Sequence, residues 1–499
     1  MKTSRTKEPA LLDRAIGYLE EAAQQVSGAN RTFLLATLAG ILVDRFRYSD
    51  DLADLDRCVE LCEEVFQDSG HLPRPTMSTA LGAYGNALRR RYRSVGQAGD
   101  LDRAIEALER ALPEARGDNL NGPRHLRDLA FVYQVRYQLA GADDDLRRGV
   151  ALYKESIESA AALDPSASLN SAMLLGSWAE TRDDWPEAAE ALQKGLKATS
   201  RLVTTQALRG HKENWLQEVR TLPARAAYAL ARCGRLEEAV LALENGQALL
   251  LNEALEQDAV STERLRAQGH SDIADRYLRA AARLSAMQAT EHALPDTAPA
   301  RRGRDAGQLN AELADVLDEV ITVSGQLITP VTLAEIAEAA AQGPVVYVTF
   351  GWQGGAALLV DNSANVRHIP LPMLTTMALQ EKFLAFLEAH RDRGSRPPEW
   401  LAAIDEVSRW LWTALMEPVV AQGHPAVTMI PAGALWLLPL HLAWRPADGP
   451  TGRRYALDDL LLTFAPNARV LNHRAIREVH SILMVENPES AIAAPLAYA

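Results

Sequence analysis

Cysteine is scarce, with 3 in 499 residues. That excludes a disulfide scaffold and fits a reducing compartment. Long apolar runs are missing too: stretches such as Leu435 to Trp444 reach about half of what a membrane span needs. The opening segment, MKTSRTKEPALLDRAIGYLEEA, is charged and then amphipathic, without a secretory apolar core. Positive charge is in deficit. Lys and Arg total 52 against 65 Asp and Glu, a net charge of −13, so neither nucleic acid nor an anionic membrane is an expected partner. Glycine (30) and proline (25) are too few and too scattered for a fibrous or low-complexity chain. What remains is 47% hydrophobic and 23% charged, an ordinary globular composition long enough for about two to four domains. A cytoplasmic, multidomain protein is the expectation.

Residues 10–256 read as almost wholly helical, and one phrase recurs in them. It is LDRAIGYLEEA from Leu12, LDRCVELCEEV from Leu55, LDRAIEALERA from Leu101 and LRRGVALYKES from Leu146. Weaker copies are WPEAAEALQKG from Trp185 and LEEAVLALENG from Leu236. The starts are 43, 46, 45, 39 and 51 residues apart. The fourth place is small or thin (Ala15, Cys58, Ala104, Gly149, Ala188, Ala239), and a larger residue follows four later (Leu19, Cys62, Leu108, Tyr153, Leu192, Leu243). Three further on the residue is mostly small again, as in Ala22, Ala111, Ser156, Gly195 and Gly246, with Val65 the exception. Spacings of four and three put these positions on one helical face, where small residues admit a neighbouring helix. A second amphipathic helix precedes each later copy, near 31–48, 76–95, 123–140, 167–181 and 213–233. Short loops such as Ser49-Asp50-Asp51 and Ala98-Gly99-Asp100 join the two, with Asp available as N-cap. The small–large–small order resembles the second helix of tetratricopeptide (TPR) repeats, whose usual period is 34; the extra residues are expected in loops between pairs. The resemblance implies an α-solenoid of antiparallel helix pairs whose groove takes a protein or peptide.

The second half changes character. Leu255 to Leu327 reads as helical connector with an exposed polar break, His292 to Gly307. After Gly343-Pro344 the periodicity turns to strands: Val345–Phe350, Ala356–Val360 and Asn365–Ile369 form a meander. Helices follow near 374–392 and 399–421, then a buried strand at Ala426–Ile430. Further strands are expected at Leu460–Phe464 and Ser481–Val485, with a helix near 467–477 between them. This alternation implies an α/β sheet covered on both faces. The phrases VTMIPAGALWLLPLHLAW (Val427 to Trp444), YALDDLLLTFAPNARVL (Tyr455 to Leu471) and SILMVENPE (Ser481 to Glu489) resemble the first half of a CHAT domain, as GPVVYVTFGWQGGAALLV does its N-terminal strands. CHAT domains are caspase- and separase-like α/β domains often fused behind TPR arrays in bacteria. The expected organisation is residues 1–256 as repeat array, 257–343 as helical connector and 344–499 as the N-terminal portion of a CHAT domain.

Active members of that family cleave peptide bonds with a Cys thiolate and a His that shuttles its proton. The resemblance implies a His-Gly at one central strand end and a Cys at the next, both after the segment equivalent to Ser481–Glu489. The eleven histidines (71, 125, 211, 270, 292, 368, 390, 424, 441, 473, 480) include none followed by Gly, and Cys58, Cys62 and Cys233 all lie in the repeats. No residue is therefore assigned as catalytic, cofactor-binding or metal-ligating. Two expectations stay open: an interaction scaffold with a catalytically incomplete caspase-like domain, or the front part of a cysteine endopeptidase. The unfinished sheet would expose an edge for another chain to cover.

Other candidates read blandly. Cys58 and Cys62 are i, i+4, which suits two metal ligands, but they occupy packing positions and no His or Cys completes a tetrahedral set. Cys233, before Gly234, reads as a buried or inert helix-end thiol, and His441 as a packing residue without a nucleophile nearby. Gly351-Trp352-Gln353-Gly354-Gly355 reads as a hairpin turn. Arg89-Arg90-Arg91 reads as a solvated face, with a grip on an acidic partner as the alternative. Asn467 stands where the family carries Ser. The sequence has no Gly-x-Ser-x-Gly elbow, phosphate loop or His-Glu-x-x-His.

Overall fold

A computed structural model of the chain describes residues 7–67, 73–97, 99–115, 121–206, 221–255, 265–266, 269–291, 315–316, 319, 331–448 and 452–472. The first half is a stack of helices: α1 (Lys7–Gln25), α2 (Gly28–Ser49), α3 (Leu52–Gln67), α4 (Arg74–Val95), α5 (Asp100–Glu114), α6 (Asn121–Ala140), α7 (Asp143–Ala160), α8 (Pro165–Thr181), α9 (Trp185–Gln206), α10 (Leu222–Arg232) and α11 (Leu236–Leu255). In copies two to six the small–large–small positions are buried, so the periodicity marks the packing seam. Long helices carry part of the long period; the loops after α3 and α5, between pairs, where extra residues are expected, lie mostly outside the described residues. α2 and α4 each run 22 residues, while α2 and α3 are joined by Asp50 and Asp51 alone. Asp51 caps α3 as expected, accepting from Ala53 N at 3.1 Å. Asp100 does not cap α5; it lies inside the first turn and its carboxylate is taken by Arg91.

That exchange repeats. Arg45, Arg91 and Arg136, near the ends of α2, α4 and α6, each grip an Asp nine residues on: Asp54, Asp100 and Asp145. These carboxylates are 1–7% exposed. The same guanidinium then reaches back to the previous copy, to Asp13, Asp56 and Asp102, at 3.0–3.1 Å. Each arginine thus staples three helices, and the planar donor fork makes that geometry available.

After α12 (Ser271–Glu291) and α13 (Leu333–Ala339, with a Thr332/Glu335 capping box) comes the sheet. The strands β1 (Val345–Phe350), β2 (Gly355–Val360) and β3 (Val366–Leu371) form the antiparallel meander expected. β4 (Ala426–Pro431) pairs parallel with β1, and β7 (Leu461–Phe464) parallel with β4, giving the order β3-β2-β1-β4-β7. Between β3 and β4 lie α14 (Thr376–Arg391), α15 (Pro397–Leu411) and α16 (Glu417–Val420). The helix expected at 399–421 is interrupted by a π-turn at Trp412–Met416, where Glu417 N bonds Trp412 O. Pro418 follows, and its missing N–H and bulky ring favour that widened turn. A ribbon of β5 (Trp444–Pro446) and β6 (Arg453–Tyr455), then α17 (Ala456–Asp459) and α18 (Ala468–Asn472), complete the described chain. The expected strand Ser481–Val485 and the break His292–Gly307 lie outside the described residues.

One hydrophobic core runs from Leu169 through α9, α10 and α11 into β1, β2, β4 and α15–α16. Every residue of β1 and β2 is buried. In β1 the odd residues face the helical array, since Thr349 Oγ1 donates to Ala224 O of α10 and Tyr347 OH to Glu244 of α11. By alternation the even residues face the opposite side. The array itself therefore supplies one cover of the sheet.

Candidate functional site

The helical array forms an open cleft of about 460 Å³. It is lined mainly by the first helix of each pair: Gly40, Val43, Asp44 and Arg47 of α2; Thr79, Gly82, Ala83 and Asn86 of α4; Asn121, Arg124, His125, Arg127 and Asp128 of α6; and Ser166, Ala167 and Asn170 of α8 with its N-cap Asp164. The spacing i, i+3, i+4, i+7 is one face of each helix, so the lining is the groove of the solenoid. Its floor is polar and tightly bonded. Asn86 Nδ2 donates to Asp128 Oδ2 at 2.5 Å, Arg89 Nη2 to Asn86 Oδ1 at 2.7 Å, and Arg127 Nη2 to Asp128 Oδ1 at 3.0 Å. Burial pushes the Asp128 carboxyl up, but the Arg127 and Arg89 guanidiniums outweigh it and hold it below its ordinary value. Ser78 Oγ and His125 Nε2 share a buried hydrogen bond of 2.9 Å. Gly82 makes room for it, because a Cβ there would fall on the His125 ring.

Arg89-Arg90-Arg91 is not the solvated face expected of it. Arg89 is buried, 4.6 Å above the Phe131 ring, and burial lowers its pKa to about 10. Arg90 is half-buried and Arg91 is the staple to Asp100. Three consecutive helical positions span about 200° of the helix, so they serve different neighbours. The sequence signal missed here was the Arg-to-Asp interval of nine, repeated at the period of the array.

A second polar seam joins the array to the sheet, and sequence reasoning missed it. Glu244 of α11 is fully buried. It accepts from Tyr347 OH at 2.6 Å and from the Ala468 and Arg469 backbone N–H groups at 2.9–3.2 Å. A carboxylate at a helix N-terminus is favoured by the exposed amides there, and burial followed by Glu244 holds the Tyr347 hydroxyl well above its ordinary pKa. Neighbouring Asn245 accepts from Val331 N at 2.9 Å, and Gln247 donates to Pro431 O at 3.3 Å. A polar Glu-Asn-Gly-Gln strip on an otherwise apolar helix was the available signal. Asn467 caps α18 by accepting from Val470 N at 3.0 Å.

The remaining candidates are dispersed. Cys58 and Cys62 are fully buried against α4, with sulfurs 3.7 Å and 3.4 Å from Ala83 O and Ala80 O. Cys58 beside it, and then burial, hold the Cys62 thiol well above its usual pKa. Cys233 is half-buried at the end of α10 with its pKa raised by burial. His441 is exposed, on the turn Leu440–Leu442, so it is not the packing residue expected; Leu440 and Ala443 take the inward positions. Gly351–Gly354 is the expected hairpin turn, closed by Gly351 N to Gly354 O at 2.7 Å. Its Gln353 accepts from Arg232 of α10 at 3.2 Å. Gly351 is needed because a Cβ would strike Tyr228 of α10. Among the described residues no group of His, Cys, Asp and Glu converges as a metal site, and no helix is long and apolar enough to cross a membrane.

Residues 405–498 match the CHAT domain family. The match begins within α15 and runs past α18, with residues 473–498 outside the described ones. No curated protein matches the chain. Among solved structures, the crystal structure of BtubC (BKLC) from P. vanneervenii is similar at 14% identity, covering 50% of this chain and 93% of that one, with a TM-score of 0.36. The fold is thus an α-solenoid of helix pairs followed by a mixed α/β unit that carries CHAT-family sequence.

Proposed function

We propose that this chain is a cytoplasmic interaction scaffold of the TPR–CHAT kind known from bacteria. Its helix pairs take a protein or peptide segment in the groove, and its caspase-like unit is held against the array without cleaving bonds itself. The observation that carries this reading is the groove: one face from each of four first helices lines a single polar cleft. The chain's three thiols support the non-cleaving part, since Cys58 and Cys62 are buried in the repeats and Cys233 caps α10. The test uses Gly40, whose side-chain direction is open space on the cleft wall. Peptides enriched by display on the whole protein should lose binding to the Gly40→Trp protein, which keeps its helical spectrum. Enriched peptides that bind both proteins equally would defeat the groove reading.

The CHAT match favours one alternative, that these residues are the front part of a cysteine endopeptidase. It is separated by assaying hydrolysis of a peptide library, with and without a thiol-alkylating reagent, for this chain and for any C-terminally extended product of its gene. Alkylation-sensitive cleavage by the extended chain alone would establish the alternative. Such cleavage by the present chain would overturn the scaffold reading.

A further inference from the structure

We propose that α1 joins this chain to a second copy of itself, each α1 lying antiparallel on the other across a twofold axis. The first copy of the recurring phrase differs from the later ones in what it leaves open. In copies two to four the residue just before the phrase is a stapled, buried carboxylate: Asp54, Asp100 or Asp145. Copy one has Leu11 there, 58% exposed. The seventh place is buried in copies two, three and five, as Leu61, Ala107 and Ala191, whereas Tyr18 is 64% exposed. Leu11, Ala15, Tyr18 and Ala22 are spaced four, three and four, so they form one stripe along α1. Ile16 and Ala23, about 100° round the helix, are buried on the side that packs on α2. In the later copies the places of Ala15 and Ala22 admit a neighbouring helix; here both stay half-exposed. A continuous exposed apolar stripe of this kind marks an interaction surface.

The stripe is complementary to itself, which selects a second copy as its occupant. With the axis passing between Ile16 and Gly17, Leu11 opposes Ala22 of the second copy and Ala15 opposes its Tyr18. Each large side chain thus meets a small one, and the exchange is reciprocal, as an isologous contact requires. The flank agrees in charge. Arg14 and Glu21 are exposed on one side of the stripe, while the ion pair nearest them joins Asp13 to Arg45. In the antiparallel pair each Arg14 lies within two residues' rise, about 3 Å, of Glu21 of the second copy, which gives two ion pairs per dimer. The opposite end of the array is covered by the sheet, so the contact closes as a dimer and does not run on as a filament. One helix of 19 residues per copy offers less than the ~800 Å² per partner of a standard interface. The dimer should therefore be half-formed at roughly 10–100 μM.

Sedimentation velocity of the whole protein over a concentration series is the experiment. A monomer–dimer equilibrium is expected, and Leu11→Glu/Tyr18→Glu should weaken it roughly tenfold or more. Arg14→Glu alone and Glu21→Arg alone should each weaken it several-fold. Arg14→Glu/Glu21→Arg together should restore it, because the swapped charges meet again across the axis. Leu401→Glu, at a comparably exposed leucine on α15, should dimerise as the parent. Circular dichroism identifies a misfolded variant, in which case the charge-swap series decides. A monomer at every concentration up to roughly 500 μM, an open-ended oligomer series, or a dimer indifferent to Leu11→Glu/Tyr18→Glu would overturn the proposal. So would a dimer that the single reversals weaken and the double reversal does not recover, or one that Leu401→Glu dissolves. In a monomer, slow alkylation of the Leu11→Cys thiol would assign the stripe to another segment of the same chain, against a second copy.

Discussion

At the scale of single residues, the buried carboxylates have the largest consequences. Removing Arg91 leaves Asp100 charged, 1% exposed and without its bidentate donor. Arg91→Ala should therefore cost about 3 kcal/mol, read as a shift in the urea midpoint at constant slope. Asp128 links stability to pH. Its pKa in the folded chain lies below its unfolded value, so its contribution is fully present above the unfolded carboxylate pKa of about 4. It is lost as pH falls through the lower folded value. The stability gap between the parent and Asp128→Asn should be constant above about pH 4 and should shrink as the pH falls below it. Cys58→Ala carries the opposite expectation: Ala fills that place in four other copies, so the cost should be about 1 kcal/mol. Loss of a bound metal ion with that change would contradict the packing role of Cys58. The packing residues were legible because small–large–small recurs at helical spacing. The staples were not, because an Arg and an Asp nine apart lie on two helices and look like ordinary surface charge until the turn folds them together.

Among the elements, helices and strands of one periodicity were readable and their partners were not. β1 shows why. Val345–Phe350 announces a buried strand by composition, yet nothing in it says that Tyr347 and Thr349 bond to helices more than a hundred residues earlier. Glu244 is the reciprocal case, a carboxylate on an apolar helix whose purpose appears only when α18 presents its N-terminus. Glu244→Ala strands the Tyr347 hydroxyl and two backbone amides, a loss of about 3 kcal/mol or more. Glu244→Gln retains one acceptor and should cost less. Hydrogen exchange of the amides at 468 and 469 is the direct readout: both should speed up in Glu244→Ala. Unchanged protection there would show that Glu244 does not cap α18. The groove face was only half legible: its i, i+3, i+4, i+7 rows are regular, but polar lining and solvent-facing helix surface look alike in sequence.

For the molecule as a whole, the array and the sheet share one core. Residues 1–256 produced alone should still be strongly helical, because most pair contacts are internal. They should also self-associate, since Tyr228, Ala224 and Leu243 lose the sheet that covers them. Sedimentation against the whole chain checks this, the expectation being that 1–256 forms the higher oligomer. The staples described above carry one more implication. Each uses only an arginine, the Asp nine residues later and an Asp of the preceding unit. If residues 57–102 were copied in tandem, the first copy's Arg91 would find Asp56, the second copy's Arg91 would find the first copy's Asp102, and Arg136 would find the second copy's Asp102. Every staple would be closed, so the array contains a rule for lengthening its Arg–Asp seam, and a chain one unit longer should complete its staples as fully as this one does.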